Sequence, residues 1–78
     1  NIMKIRKLKI ILEKISKKSY LELDKTLSKI EGITCSGLDK PTKKLEMIYD
    51  SEVISKQKIL KIVKKLGYDI EEINDTKF

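Results

Sequence analysis

One thiol and an absence set the chemistry open to this chain. Cys35 is the sole cysteine, there is no histidine, and Met3 and Met47 are the two thioethers. A zinc site draws three or four protein ligands, mostly from cysteine and histidine, and one cysteine cannot supply them. An internal disulfide is impossible, which excludes a small secreted scaffold held by cross-links. Serines are present, but without an imidazole none has the usual general base, nor has the thiol. An enzyme is therefore not expected.

Charge is the other resource. The 78 residues carry 18 Lys+Arg against 12 Asp+Glu, a formal net charge of +6. Such a balance suits an acidic partner, nucleic acid or an anionic membrane surface, or is simply solvated surface. The longest apolar run, as at Ile10-Ile11-Leu12, is far short of the roughly 20 residues that span a bilayer. No secretory apolar core follows the basic start. The expected location is the cytoplasm, or the cytoplasmic part of something larger, with no membrane insertion of this segment.

These groups must be positioned by a short chain whose apolar residues are mostly Ile and Leu. Over 4–14, Leu8, Ile10 and Leu12 alternate with Lys7, Lys9, Ile11 and Glu13, the period of a strand with one buried face. A polar loop over 15–19 leads into a helix over 20–31. Ser19 and Glu22 have the spacing of a capping box, and Tyr20, Leu23, Leu27 and Ile30 share one helical face. Gly32 sits where a left-handed stop is expected. Residues 33–36 read as a strand ending at Gly37, in which Cys35 alternates with Ile33 as a small core residue. Turn chemistry over 39–43, including Pro41, leads to a strand over 44–50 with Leu45, Met47 and Tyr49 on one face. Ser55 opens a second helix with Ile59, Ile62, Val63 and Leu66 inward and lysines elsewhere, stopped by Gly67. Residues 68–73 form a last short strand, and 74–78 a flexible tail.

The order β-α-β-β-α-β is that of an α+β, ferredoxin-like domain: a four-stranded antiparallel sheet with both helices on one face. One such domain is expected over 4–73.

Three stretches resemble heavy-metal-associated domains, the modules of copper chaperones and of the N-termini of metal-transporting P-type ATPases. Leu27-Ser28-Lys29-Ile30-Glu31-Gly32-Ile33 looks like the end of the family's first helix. Met47-Ile48-Tyr49-Asp50 with Val53-Ile54-Ser55 looks like its third strand and the entry to helix two. Ile59 and Lys64-Lys65-Leu66-Gly67-Tyr68-Asp69-Ile70 look like the end of helix two and the turn after it. The resemblance covers most of the chain through spaced similarities.

In that family a Cys-x-x-Cys between strand one and helix one binds Cu(I), or Zn(II) and Cd(II) in relatives. Anchored on helix one, the resemblance puts Ser16 and Ser19 at the two cysteine positions. Anchored on strand one, it puts Lys17 and Tyr20 there. Either way, no residue from 13 to 22 is a cysteine. Soft monovalent copper selects thiolates and thioethers, for which neutral hydroxyls are poor replacements. No metal is expected at the degenerate loop, and no cofactor.

The resemblance also implies a docking surface, because copper chaperones meet acidic partner domains through basic faces. The residues placed there are Lys17, Lys18, Lys58, Lys61, Lys65 and Tyr68, facing an acidic domain of ATPase or chaperone-like kind. Tyr68 is expected beside the loop after strand one, closing the core or contacting a partner. A weak homodimer also stays open. Sequence-reading RNA recognition is not expected, since the outward residues of the third strand, Glu46, Ile48 and Asp50, lack the aromatics on which bases stack. Two readings follow. One is a docking or regulatory module of the metal-transport class without its metal ligands. The other is a metal-independent protein-interaction or dimerisation scaffold.

Overall fold

The computed structural model describes residues 4–14 and 20–77, and within these not the side chains of Tyr20, Leu21, Glu22, Cys35 and Ser36. The elements are β1 (Ile5–Leu12), α1 (Tyr20–Ser28), β2 (Ile33–Asp39), β3 (Lys44–Asp50), α2 (Lys56–Lys65) and β4 (Ile70–Lys77). The strands form one antiparallel sheet in the order β2-β3-β1-β4. This is the ferredoxin-like arrangement expected from the alternation of periods.

Alternation decides which face of the sheet is covered. Leu8, Ile10 and Leu12 of β1, and Leu45, Met47 and Tyr49 of β3, are essentially inaccessible. From the helices, Leu23 and Leu27 of α1 and Ile59 and Val63 of α2 complete the same cluster. Each such side chain contributes about 1.5–3 kcal/mol on burial. The residues between them, Lys7, Lys9, Glu46 and Ile48, stay partly exposed on the other face. Ion pairs there, Lys9 and Lys44 to Glu46 at 3.8 Å each, are solvated, and such pairs contribute little.

Gly67 ends the second helix as expected, while Gly32 lies in the turn between α1 and β2, past the end of its helix. Gly32 has φ +100° and Gly67 φ +98°, a region costly to residues with a Cβ. Gly32 is also crowded: a Cβ there would lie 2.9 Å from methyl groups of both Val53 and Ile54. Its carbonyl accepts from Asp50 N at 2.7 Å, tying the turn before β2 to the end of β3. Ser55 caps α2, its hydroxyl accepting from Lys58 N at 3.1 Å. That bond satisfies one of the donors left free in the first turn.

Four expectations need correction. The tail expected over 74–78 is strand as far as Lys77, because 74–77 pair with β1 from Arg6 to Lys9. Asp75 anchors that extension: its carboxylate accepts from Arg6 Nε at 3.0 Å and from the Tyr49 hydroxyl at 3.3 Å. Helix one ends at Ser28 rather than 31, its chain closing by turn bonds from Lys29 to Thr26 and from Ile30 to Leu27. Leu66 is not in the core; it is the C-cap of α2 and 40 % exposed. Finally, β2 runs on to Asp39, and an irregularity between Ile33 and Cys35 shifts the register. Cys35 thereby pairs with Ile48, a position of the uncovered face, not with the Tyr49 row that Ile33 joins. Its side chain lies outside the described residues.

Candidate docking face and candidate metal loop

The loop expected to correspond to a metal site starts where β1 ends. Three bonds fix that exit. Leu12 N donates to Lys43 O at 2.9 Å, Glu13 N donates to Asp69 O at 3.0 Å, and Lys43 Nζ donates to Glu13 O at 3.1 Å. The turn before β3 and the turn after α2 therefore flank the start of the loop. Ser16, Ser19, Lys17 and Lys18 lie outside the described residues.

The donor set does not fit the family's metals. The segment from 13 to 22 is Glu-Lys-Ile-Ser-Lys-Lys-Ser-Tyr-Leu-Glu, without a thiol or imidazole. Among the described residues, no three His, Cys, Asp or Glu side chains gather as a metal site would need. The remaining thiol is distant along the sheet. Cys35 registers with Ile48, which registers with Lys7 near the start of β1, away from Leu12 and the loop.

The lysines of helix two come together as expected. Lys58, Lys61 and Lys65 are exposed on α2 at i, i+3 and i+7, one stripe, with Lys64 beside them. The helix has no acidic residue in its first turn and Lys64 and Lys65 in its last. The last two complement the negative end of the helix dipole, while the N-terminal lysines oppose it. Because α2 ends into the turn whose Asp69 carbonyl holds Glu13, this basic end and the loop's start share one end of the molecule.

Tyr68 does not belong to this face. It is 6 % exposed and part of the core cluster, since the positive φ of Gly67 turns the chain back onto the sheet. Its hydroxyl is buried without a hydrogen-bond partner among the described residues. The ring closes the core.

Two features escape sequence reasoning. Lys43 takes φ 58° and holds the exit of β1, although nothing marks a lysine for a left-handed turn that asparagine or glycine usually fills. Exposed Leu66 beside Lys64 and Lys65 was masked by its fit to the helical apolar spacing.

Sheet order and the two helices packed against it define a ferredoxin-like fold. Solved structures share this fold. A candidate copper-ion-binding protein from Bacillus anthracis str. Ames superposes with a TM-score of 0.78 at 18 % identity, over 86 % of this chain and 96 % of that one. Oxidized MerP from Ralstonia metallidurans CH34 gives 0.76 at 18 % identity, over 87 % and 99 %. The copper form of a CopA point variant from Bacillus subtilis gives 0.70 at 18 % identity, over 90 % and 93 %. No protein-family model and no curated protein matches the chain. Among the described residues, no helix is long and apolar enough to cross a membrane.

Proposed function

We propose that this chain is a non-enzymatic module of the heavy-metal transport and homeostasis class that docks to an acidic protein domain and no longer holds metal. The observation that carries this is the pairing of a fold shared with copper-binding structures with a loop that has no cysteine from 13 to 22. Without thiolates, what stands at that end is cationic: Lys64 and Lys65 exposed in the last turn of α2, with Lys58 and Lys61 exposed further back along the same helix and Lys17 and Lys18 in the loop sequence after β1. A face of this kind speeds encounter with an acidic partner and fixes orientation more than it tightens binding. The proposed setting is cytoplasmic, either as a free domain or as part of a transporter.

The test is a Cu(I) and Zn(II) titration against a competing chelator, run on the native chain and on a Ser16→Cys/Ser19→Cys variant. The native chain should fail to compete for either metal, and the variant should gain Cu(I) affinity. Tight stoichiometric Cu(I) binding by the native chain would overturn the loss of the site. No gain in the variant would overturn the placement of Ser16 and Ser19.

A further inference from the structure

We propose that the free edge of β2 pairs with β2 of a second copy, antiparallel about Gly37, in a weak two-fold dimer. The outer strands of the sheet are β2 and β4, and among the described residues no strand pairs with the outer side of either, so each presents a row of backbone donors and acceptors there. Proteins usually guard such edges with charge, proline or cover. In this chain β4 is guarded, carrying Glu71, Glu72, Asp75 and Lys77. Self-pairing of β4 would bring its carboxylates together, which is unfavourable. β2 is not guarded. Its sequence is ITCSGLD, one charge at its last position, whereas β1, β3 and β4 carry at least three charges each. In a chain with 38 % charged residues, the one nearly neutral strand lies on an edge.

Register supports pairing with an identical strand. Beyond the irregularity at Ile33/Cys35, residues 35–39 pair regularly with β3. Ser36 and Leu38 take positions opposite buried Met47 and Leu45; Cys35, Gly37 and Asp39 take positions opposite Ile48, Glu46 and Lys44. Pairing about Gly37 sets Ser36 against Leu38 and Cys35 against Asp39, so every residue keeps its own face. The two sheets become one, with the helices of both copies on the same side. Gly37 is exposed, and nothing lies within 4 Å of where its Cβ would be, so a second backbone approaches the centre unobstructed. A two-fold β2–β2 contact also closes on itself, whereas β2 against β4 would propagate without limit.

The second copy is favoured as occupant because a neutral strand meets its like without charge repulsion, while the remaining net charge of +6 on each copy keeps the contact weak. A contact of one short strand falls in the small, transient class of interfaces. The repulsion is screened by salt, so this dimer strengthens as salt rises. Docking of the lysine face to an acidic partner does the opposite, which separates the two.

The experiment follows the apparent mass of the reduced full chain by sedimentation, with backbone amide shifts, from micromolar to millimolar concentration at low and high salt. The mass should rise from 9.1 kDa toward twice that, with shifts concentrated over 33–39 and more dimer at high salt. Gly37→Lys, which the open space accommodates, sets like charges opposite one another and should weaken association about fivefold. Gly37→Val, a better strand former, should strengthen it. Retained circular dichroism in both variants excludes unfolding as the cause. A native chain and Gly37→Val variant that both stay monomeric at millimolar concentration would overturn the proposal. So would association unchanged by Gly37→Lys, or shifts centred on β4 or α2.

Discussion

Gly32, in the turn after α1, and Gly67, just past the end of α2, have nearly the same backbone angle, φ +100° and +98°, but different surroundings, and this makes a controlled pair of substitutions. Alanine at either site is forced into the left-handed region at about 1–2 kcal/mol. Its reduced unfolded-state freedom returns about 0.4–1 kcal/mol at both. At Gly67 the account stops there, since nothing lies within 4 Å of the new Cβ. At Gly32 the Cβ meets Val53 Cγ1 and Ile54 Cγ2 at 2.9 Å, and Ile54 is 7 % exposed and part of the core. Overpacking of this kind adds about 1–3 kcal/mol. Gly67→Ala should therefore cost about 0–1.5 kcal/mol and Gly32→Ala about 1–4.5 kcal/mol. A domain of this size has roughly 4–12 kcal/mol in all, so the second loss is a large share.

Urea unfolding followed by circular dichroism measures both values, and a thermal melt adds a check at about 4–8 °C per kcal/mol. A third variant isolates the crowding. Val53 is 52 % exposed, so Val53→Ala alone should be nearly silent, yet in the Gly32→Ala background it should recover part of the loss. Equal costs at Gly32 and Gly67, or no recovery from Val53→Ala, would refute the view that close approach rather than backbone angle sets the difference.

Tyr49 has its phenol pushed above the ordinary value of 10.0, first by burial and then by the nearby Asp75 carboxylate. The native state thus holds this proton more tightly than the unfolded chain does. The resulting stability is intact below pH 10 and is lost as pH rises past the tyrosine range; Tyr49→Phe should remove that alkaline loss in pH-dependent urea melts. Asp75→Ala breaks a charge-assisted bond with Arg6 whose partners are 33 % and 16 % exposed. It should cost about 1–2 kcal/mol after solvent screening and speed amide exchange over 74–77 before the rest of β4. Ile59→Ala, at a site with 0 % exposure, should cost about 2–5 kcal/mol by equilibrium unfolding.

Where local chemistry and tertiary packing agree, the elements are legible from the chain alone. The third strand, at 44–50, the cap at Ser55 and the stop at Gly67 all stand where periodicity and special backbone needs put them, whereas α1 stops at Ser28, before Gly32. The failures are tertiary. Asn74-Asp75-Thr76-Lys77 has little intrinsic preference for strand, and only the neighbouring β1 with Arg6 and Tyr49 makes it one. Alternation assumes an unbroken ladder, so the shift beside Cys35 reverses the face assigned to that residue. Leu66 fits the apolar spacing of α2, but the helix stops one residue earlier. For the candidate site, the stripe of Lys58, Lys61 and Lys65 follows from helical spacing, whereas the burial of Tyr68 depends on how Gly67 redirects the chain.

The sheet order puts the first and last strands side by side, with Arg6 opposite Lys77. The start of β1 and the end of β4 therefore lie together at the end of the sheet remote from the turn that joins Asp69 to Glu13. A linker, label or surface tether attached at either of these points pulls from that remote end and leaves the end bearing Lys64 and Lys65 facing away from it. Two such domains strung on one chain would each present that end sideways, without the connecting segment passing over it.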